Sequence, residues 1–226
     1  MADGDDADGG AFGPQGRSPD PVDLERRLLR LPPTLCLMSG LPATGKSWYA
    51  RRIGLALGAL VTSSDQRRLD LFGPHARGGR LDSGGSEPSR GADATQDHST
   101  PADRAVYNSL LEDARRGLGS GRSVVVEGSF LKRARRKPFA TLAGELSVPF
   151  VFVTTTAAEA TVRRRLQLRA LDPTETSGVD WEAYQRLAAG MEPPTEFAPA
   201  QRLEIDAQAT LEQSLALLID RVSEQL

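Results

Sequence analysis

The chain has one cysteine, two histidines, almost no net charge and no long apolar run. A lone Cys36 cannot close an internal disulfide, the pattern of a reducing compartment. His75 and His98 both lie in a Gly-, Ser-, Asp- and Arg-rich stretch without periodicity. Neither a zinc site nor a Ser-His-Asp arrangement can be assembled from them. A formal charge of −2 argues against a protein built chiefly to hold nucleic acid or an anionic membrane. Apolar runs such as Ala56–Val61 fall far short of the ~20 residues a membrane helix needs. The N-terminus, with Asp3, Asp5, Asp6 and Asp8 among Gly and Ala, has neither the basic nor the apolar region of a secretion signal. These absences lead to the expectation of a cytoplasmic protein with no membrane partner.

Glycine and proline are in excess, 22 and 15 residues, but nearly half of them fall within 1–33 and 73–91. Residues 1–20 hold almost nothing large and apolar, so burial cannot offset their ordering entropy. A disordered or weakly helical tail over 1–30 is expected, with Val22–Leu31 as its helical part, followed by one domain over 31–226. Within that domain, short apolar runs recur at Thr34–Met38, Ala59–Thr62, Ser123–Val126, Pro149–Val153 and Leu203–Ile205, and read as buried parallel strands. Helix-period segments separate them: one capped by Thr100, with Val106, Leu110, Leu111, Ala114 and Leu118 on one face and Gly119 and Gly121 ending it, then Leu131–Leu146, Ala158–Ala170, Trp181–Met191 and Leu211–Val222. Pro138 is expected to disturb the start of the second. The alternation predicts an α/β fold, a three-layer sandwich around a five-stranded, mainly parallel sheet. Residues 73–99 break the pattern and read as a flexible insertion, with a substrate clamp as the other reading.

The segment Gly40-Leu41-Pro42-Ala43-Thr44-Gly45-Lys46-Ser47 matches G-x-x-x-x-G-K-[ST], with an apolar strand before it and a helix after it. Its glycines let backbone N–H groups turn toward phosphate oxygens, and the helix N-terminus favours the anion. Lys46 suits the β- and γ-phosphates, and the Ser47 hydroxyl suits Mg2+. Asp65 follows the second strand, where strand ends face the ligand crevice, and is placed to accept a proton from an attacking hydroxyl. Arg68, one turn on, could hold an anionic acceptor; capping of the next helix by Ser64 or Asp65 is the plainer alternative. The third strand ends in Glu127-Gly128-Ser129, a carboxylate suited to Mg2+ or its waters beside a free hydroxyl. Arg165 and Arg169, at i and i+4, could close over a triphosphate. Lys132, Arg133, Arg135, Arg136 and Lys137 oppose the dipole of the helix they open. They read best as a solvated face, and no aromatic residues interleave them to stack nucleic-acid bases.

Gly40–Ser47, Ser64-Asp65-x-x-Arg68, the Val124–Leu131 strand and Arg165-Leu-x-x-Arg169, in that order, resemble the P-loop ATP-binding kinases related to zeta toxin, chloramphenicol phosphotransferase and the polynucleotide kinase domain. The resemblance covers about 34–222 and implies a P-loop NTPase fold, ATP and Mg2+, and transfer of the γ-phosphate to a hydroxyl of a small molecule or nucleotide-type acceptor. It implies Asp65 as base, Lys46, Arg165 and Arg169 as catalytic cations, and Arg68, Glu127 and Ser129 on the acceptor side. Many such kinases have Asp-Ala-Thr-Phe where this chain has Glu127-Gly-Ser129-Phe, which leaves Glu127 between metal and acceptor. A regulatory module that hydrolyses ATP slowly and a nucleic-acid 5′-hydroxyl kinase are the alternatives.

Removing residues 1–20 is expected to leave nucleotide affinity unchanged in titration calorimetry. A weakened affinity would place the acidic tail in the site.

Overall fold

The computed structural model describes residues 19–73, 100–171 and 179–226. The expected insertion at 73–99, beyond Gly73, and the tail up to residue 18 lie outside the described residues. Five strands form one sheet in the order β2-β3-β1-β4-β5: β1 (Leu35–Gly40), β2 (Leu60–Ser63), β3 (Val124–Glu127), β4 (Phe150–Thr156) and β5 (Arg202–Asp206). All four pairings are parallel, so the sheet is more uniform than expected.

The helices are α1 (Pro21–Leu28), α2 (Lys46–Ala56), α3 (Ser64–Phe72), α4 (Pro101–Gly119), α5 (Arg133–Glu145), α6 (Glu159–Ala170), α7 (Trp181–Ala189) and α8 (Leu211–Ser223). Their starts follow side-chain chemistry. Asp20, Ser63, Thr100, Asp180 and Thr210 each accept a backbone N–H of the first turn, satisfying donors that the helix itself cannot. The expectation that Ser64 or Asp65 caps α3 is corrected by one position: Ser63 is the cap, which leaves Asp65 exposed in the first turn.

Strand alternation sorts the core into two layers. Cys36 and Met38 point with Val151, Val153 and Ile205 toward α1, α2 and α8. Leu35 and Leu37 point with Val124, Val126 and Phe152 toward α4 and α5. Every residue of β1 is buried, the signature of a strand covered on both faces. Leu24 of α1 is buried in the first layer, and Arg27 pairs with Asp220 of α8 at 2.5 Å. Part of the segment expected as a tail is therefore docked.

Two further features differ from expectation. Pro138 sits inside α5 without breaking it. The helix start is set instead by Glu192, whose carboxylate accepts the Arg133 N–H at 2.7 Å and pairs with Lys132 at 3.2 Å. That hydrogen bond is the largest cause holding the Glu192 carboxyl below its ordinary pKa. Glu192 thus supplies the anion that the cationic first turn lacks. Arg136, read as part of a solvated face, is 1% exposed. It forms a two-pronged pair with Glu196 at 2.5 and 3.1 Å and donates to the carbonyls of Phe130, Leu131 and Glu192.

Replacing Arg136 by Ala strands a buried carboxylate and is expected to lower stability by about 3–5 kcal/mol. The double change Arg136→Met with Glu196→Leu should recover most of that loss in chemical denaturation. Equal losses in both proteins would mean that the pair is not what holds this corner.

Candidate functional site

β1 is the central strand, and the chain leaves it for β2 on one side while β3 leads to β4 on the other. That reversal opens a crevice at the carboxyl ends of the strands, and the loop 40–45 lies across it. Gly40 has φ 149° and Gly45 has φ 101°, backbone that residues with a Cβ rarely adopt. At Gly40 space forbids one as well: a Cβ there would lie 2.4 Å from Thr155 Oγ1 and 2.8 Å from the Thr155 carbonyl oxygen. Thr155, on β4, also shares a hydrogen bond with Thr44 Oγ1 at 2.8 Å, and Thr44 donates to the Leu41 carbonyl at 2.7 Å. The loop is thereby held in its curled form by β4 and by its own side chains.

Lys46 and Ser47 open α2 just past this loop. Lys46 Nζ donates to the Leu41 carbonyl at 3.0 Å. Burial lowers the Lys46 pKa, the charges of Glu127 and Asp65 raise it, and Arg169 lowers it, with burial prevailing. The charges of three other groups expected in the site thus reach Lys46. Ser47 Oγ donates to Glu127 Oε1 at 2.8 Å, and Glu127 is 7% exposed. A hydroxyl beside a buried carboxylate is an all-oxygen donor set, the type Mg2+ takes when phosphates and waters complete its shell. Among the described residues no group of three or more His, Cys, Asp or Glu gathers to hold a metal by protein ligands alone.

Arg165 Nη1 donates to the Ala43 carbonyl at 2.9 Å and lies 3.7 Å from where a Cβ of Gly45 would be. An arginine from α6 therefore rests on the loop itself. Arg163, which shares the same run, instead pairs with Glu159 at 2.7 Å and lies over Trp181.

The other flank is built from α3, α4 and the segment after β3. Arg68 pairs with Asp103 of α4, so it enters the site as half of an ion pair rather than as a lone cation. Burial raises the Asp103 pKa, but hydrogen bonds from Arg68 and Thr100 outweigh it and hold the carboxyl below its ordinary value. Ser129 Oγ lies 3.5 Å from the Tyr107 hydroxyl, whose pKa burial pushes up against that hydrogen bond. The Arg135 guanidinium stacks over the Tyr107 ring at 4.4 Å. Ser129 also fixes the loop through its carbonyl, which accepts from Ser39 Oγ at 2.7 Å.

Sequence reasoning missed Thr155, Asp103 and Tyr107. Tyr107 and Asp103 share a face of α4 four residues apart, a signal that could have found them. Thr155 carries no local signal, because its role comes from strand pairing.

The AAA domain family matches residues 35–194. No curated protein matches the chain. Among solved structures, a gluconokinase from Sinorhizobium meliloti 1021 is 19% identical over 86% of this chain and 94% of its own, with TM-score 0.57. The Mycobacterium tuberculosis APS kinase CysC, in complex with AMPPNP and APS, is 18% identical over 85% and 99%, with TM-score 0.53. Chaetomium thermophilum Kti12, in complex with ADP-AlF3, is 13% identical over 83% and 98%, with TM-score 0.59. At these identities the likeness is one of fold.

Gly40→Ala is expected to abolish nucleotide binding and to lower stability by about 1–3 kcal/mol. Thr155→Ala should not rescue it, since the backbone carbonyl still occupies the space. Thermal denaturation with and without nucleotide reads both effects, and a rescue would show that only the side chain excludes a Cβ.

Proposed function

The chain belongs to the AAA domain family, and on that premise we propose that it is an ATP-dependent kinase that phosphorylates a hydroxyl of a small-molecule or nucleotide-type acceptor. The observation that carries this reading is that Asp65 and Glu127 both bear electrostatically on Lys46. A lysine suited to phosphate and a carboxylate suited to proton acceptance are thus close enough for their charges to act on each other.

In the proposed reaction, the loop N–H groups and Lys46 hold the β- and γ-phosphates. Ser47 and Glu127 would hold Mg2+, which when bound supplies charge neutralisation between the phosphates. Asp65 takes the proton of the acceptor hydroxyl as its oxygen bonds to the γ-phosphorus. The bond from that phosphorus to the bridging oxygen breaks, and ADP leaves. Arg165, on the loop, and Arg169, beside Lys46, offset charge as it moves. Catalysis then rests on positioning and electrostatics. Arg68, with Asp103, and Ser129, with Tyr107, form the side on which the acceptor is read.

A module that hydrolyses ATP slowly needs the same loop and no acceptor. The ion pair that occupies Arg68 is the observation in its favour. A 5′-hydroxyl kinase loses support from Lys132–Lys137, since Arg136 is buried and Lys132 is paired.

Asp65→Asn should retain ATP affinity within about twofold while acceptor-stimulated ADP release, screened over a metabolite panel, falls about 10²–10⁴-fold. Normal turnover by this variant would remove Asp65 as the base. ATP binding with no stimulating acceptor would favour the slow-hydrolysing module.

A further inference from the structure

One aromatic residue at the site is left unexplained by packing. Trp48 follows Ser47 directly, in the first turn of α2, and is 44% exposed. Among the described residues it belongs to none of the apolar clusters that make the core. Trp181, by contrast, stacks on Tyr184 and packs against Val162 and Leu166. A large indole half open to water is uncommon unless it meets something.

Its surroundings fix it as a platform. The Arg52 guanidinium lies 3.8 Å from the centroid of the Trp48 ring. The Tyr49 ring meets it edge-on, with centroids 4.7 Å apart and planes at 75°. Tyr49 is itself anchored, donating its hydroxyl to the carbonyls of Asp206 and Ala209 at 3.1 and 2.8 Å. Those carbonyls lie at the end of β5 and in the connection that follows it to α8. The indole is thus held in the first turns of α2 by Arg52 and by a Tyr49 that is itself anchored.

We propose that Trp48, backed by Arg52, is the surface on which the base of the bound nucleotide stacks. The inference rests on the nucleotide reading above. A base is joined to the innermost phosphate through a single ribose, so it comes to lie beside the first turn of the helix whose N-terminus holds the phosphates. A flat π-surface with a guanidinium alongside is suited to a purine, which offers the widest face for stacking. The ligand part recognised here is an adenine-type purine, separate from the phosphates held by the loop.

Calorimetric titration of the full chain with ATP and with inorganic tripolyphosphate, each with Mg2+, separates the two parts. Loss of one stacking contact corresponds to roughly a tenfold change in affinity. Trp48→Ala is expected to weaken ATP about tenfold and leave tripolyphosphate within twofold, whereas Trp48→Phe keeps most of the ATP affinity. In a Trp181→Phe background, ATP should quench the remaining tryptophan emission more than tripolyphosphate does. Equal weakening of both ligands by Trp48→Ala, or unchanged ATP affinity, overturns the proposal while leaving nucleotide binding intact. If the unaltered chain binds neither ligand, the nucleotide reading itself falls.

Discussion

The close approach of Gly40 to Thr155 sets the terms for the whole site. A loop that binds phosphate through its N–H groups must be curled before the anion arrives, or the ordering entropy is lost from affinity. Here the curl is imposed from the neighbouring strand. β1 and β4 pair in register through Gly40 and Thr155, and the Thr155 side chain continues into Thr44 and Leu41. The sheet therefore positions the loop, and the loop positions the first turn of α2. Packing deep in β1 thus reaches the loop through Gly40 and its neighbour Thr155.

The electrostatics follow from the same crowding. Lys46 is buried by the loop it serves, which works against its charge, and the carboxylates of Glu127 and Asp65 work for it. Its ammonium is meanwhile held to the loop by the Leu41 carbonyl. Ser47 and Glu127 hold each other by a hydrogen bond, which fixes both oxygens beside the start of α2. The flank opposite is balanced in another way, since Arg68 and Asp103 cancel each other.

Much of this was legible from local patterns. Apolar runs marked all five strands: β1 and β3 are buried throughout and cannot be polar, while the edge strand β5 buries only its alternate residues Leu203 and Ile205. The G-x-x-x-x-G-K-S segment fixed the phosphate loop, and helix-period spacing found the helices within a few residues of their ends. What escaped were pairings across long sequence separations. Asp113, inside α4, joins Arg67 and accepts from Thr62 at 3.0 Å, tying α3 and β2 to α4. Nothing near Asp113 in the sequence announces those partners. Trp48 was passed over because a tryptophan within a helix reads as core until its exposure is known.

The two arginine-rich runs show why charge patterns mislead without neighbours. The Lys132–Lys137 run reads as a solvated helix face and the Arg165/Arg169 pair as a clamp on phosphate, yet each run places one arginine against a strained turn. Ala43 has φ 64° and Phe130 has φ 45°, left-handed backbone that costs non-glycine residues about 1–2 kcal/mol. Such turns leave the regular hydrogen-bond ladder, so their carbonyls need partners from elsewhere. Arg165 donates to the Ala43 carbonyl at 2.9 Å and Arg136 to the Phe130 carbonyl at 3.2 Å. One turn belongs to the phosphate loop and the other follows Glu127-Gly128-Ser129, so the strain sits at both walls of the crevice. The difference between the arginines is what else each one meets. Arg136 finds the carboxylate of Glu196 and becomes a buried structural tie. Arg165 donates to the loop's own carbonyl and so ties α6 to the loop.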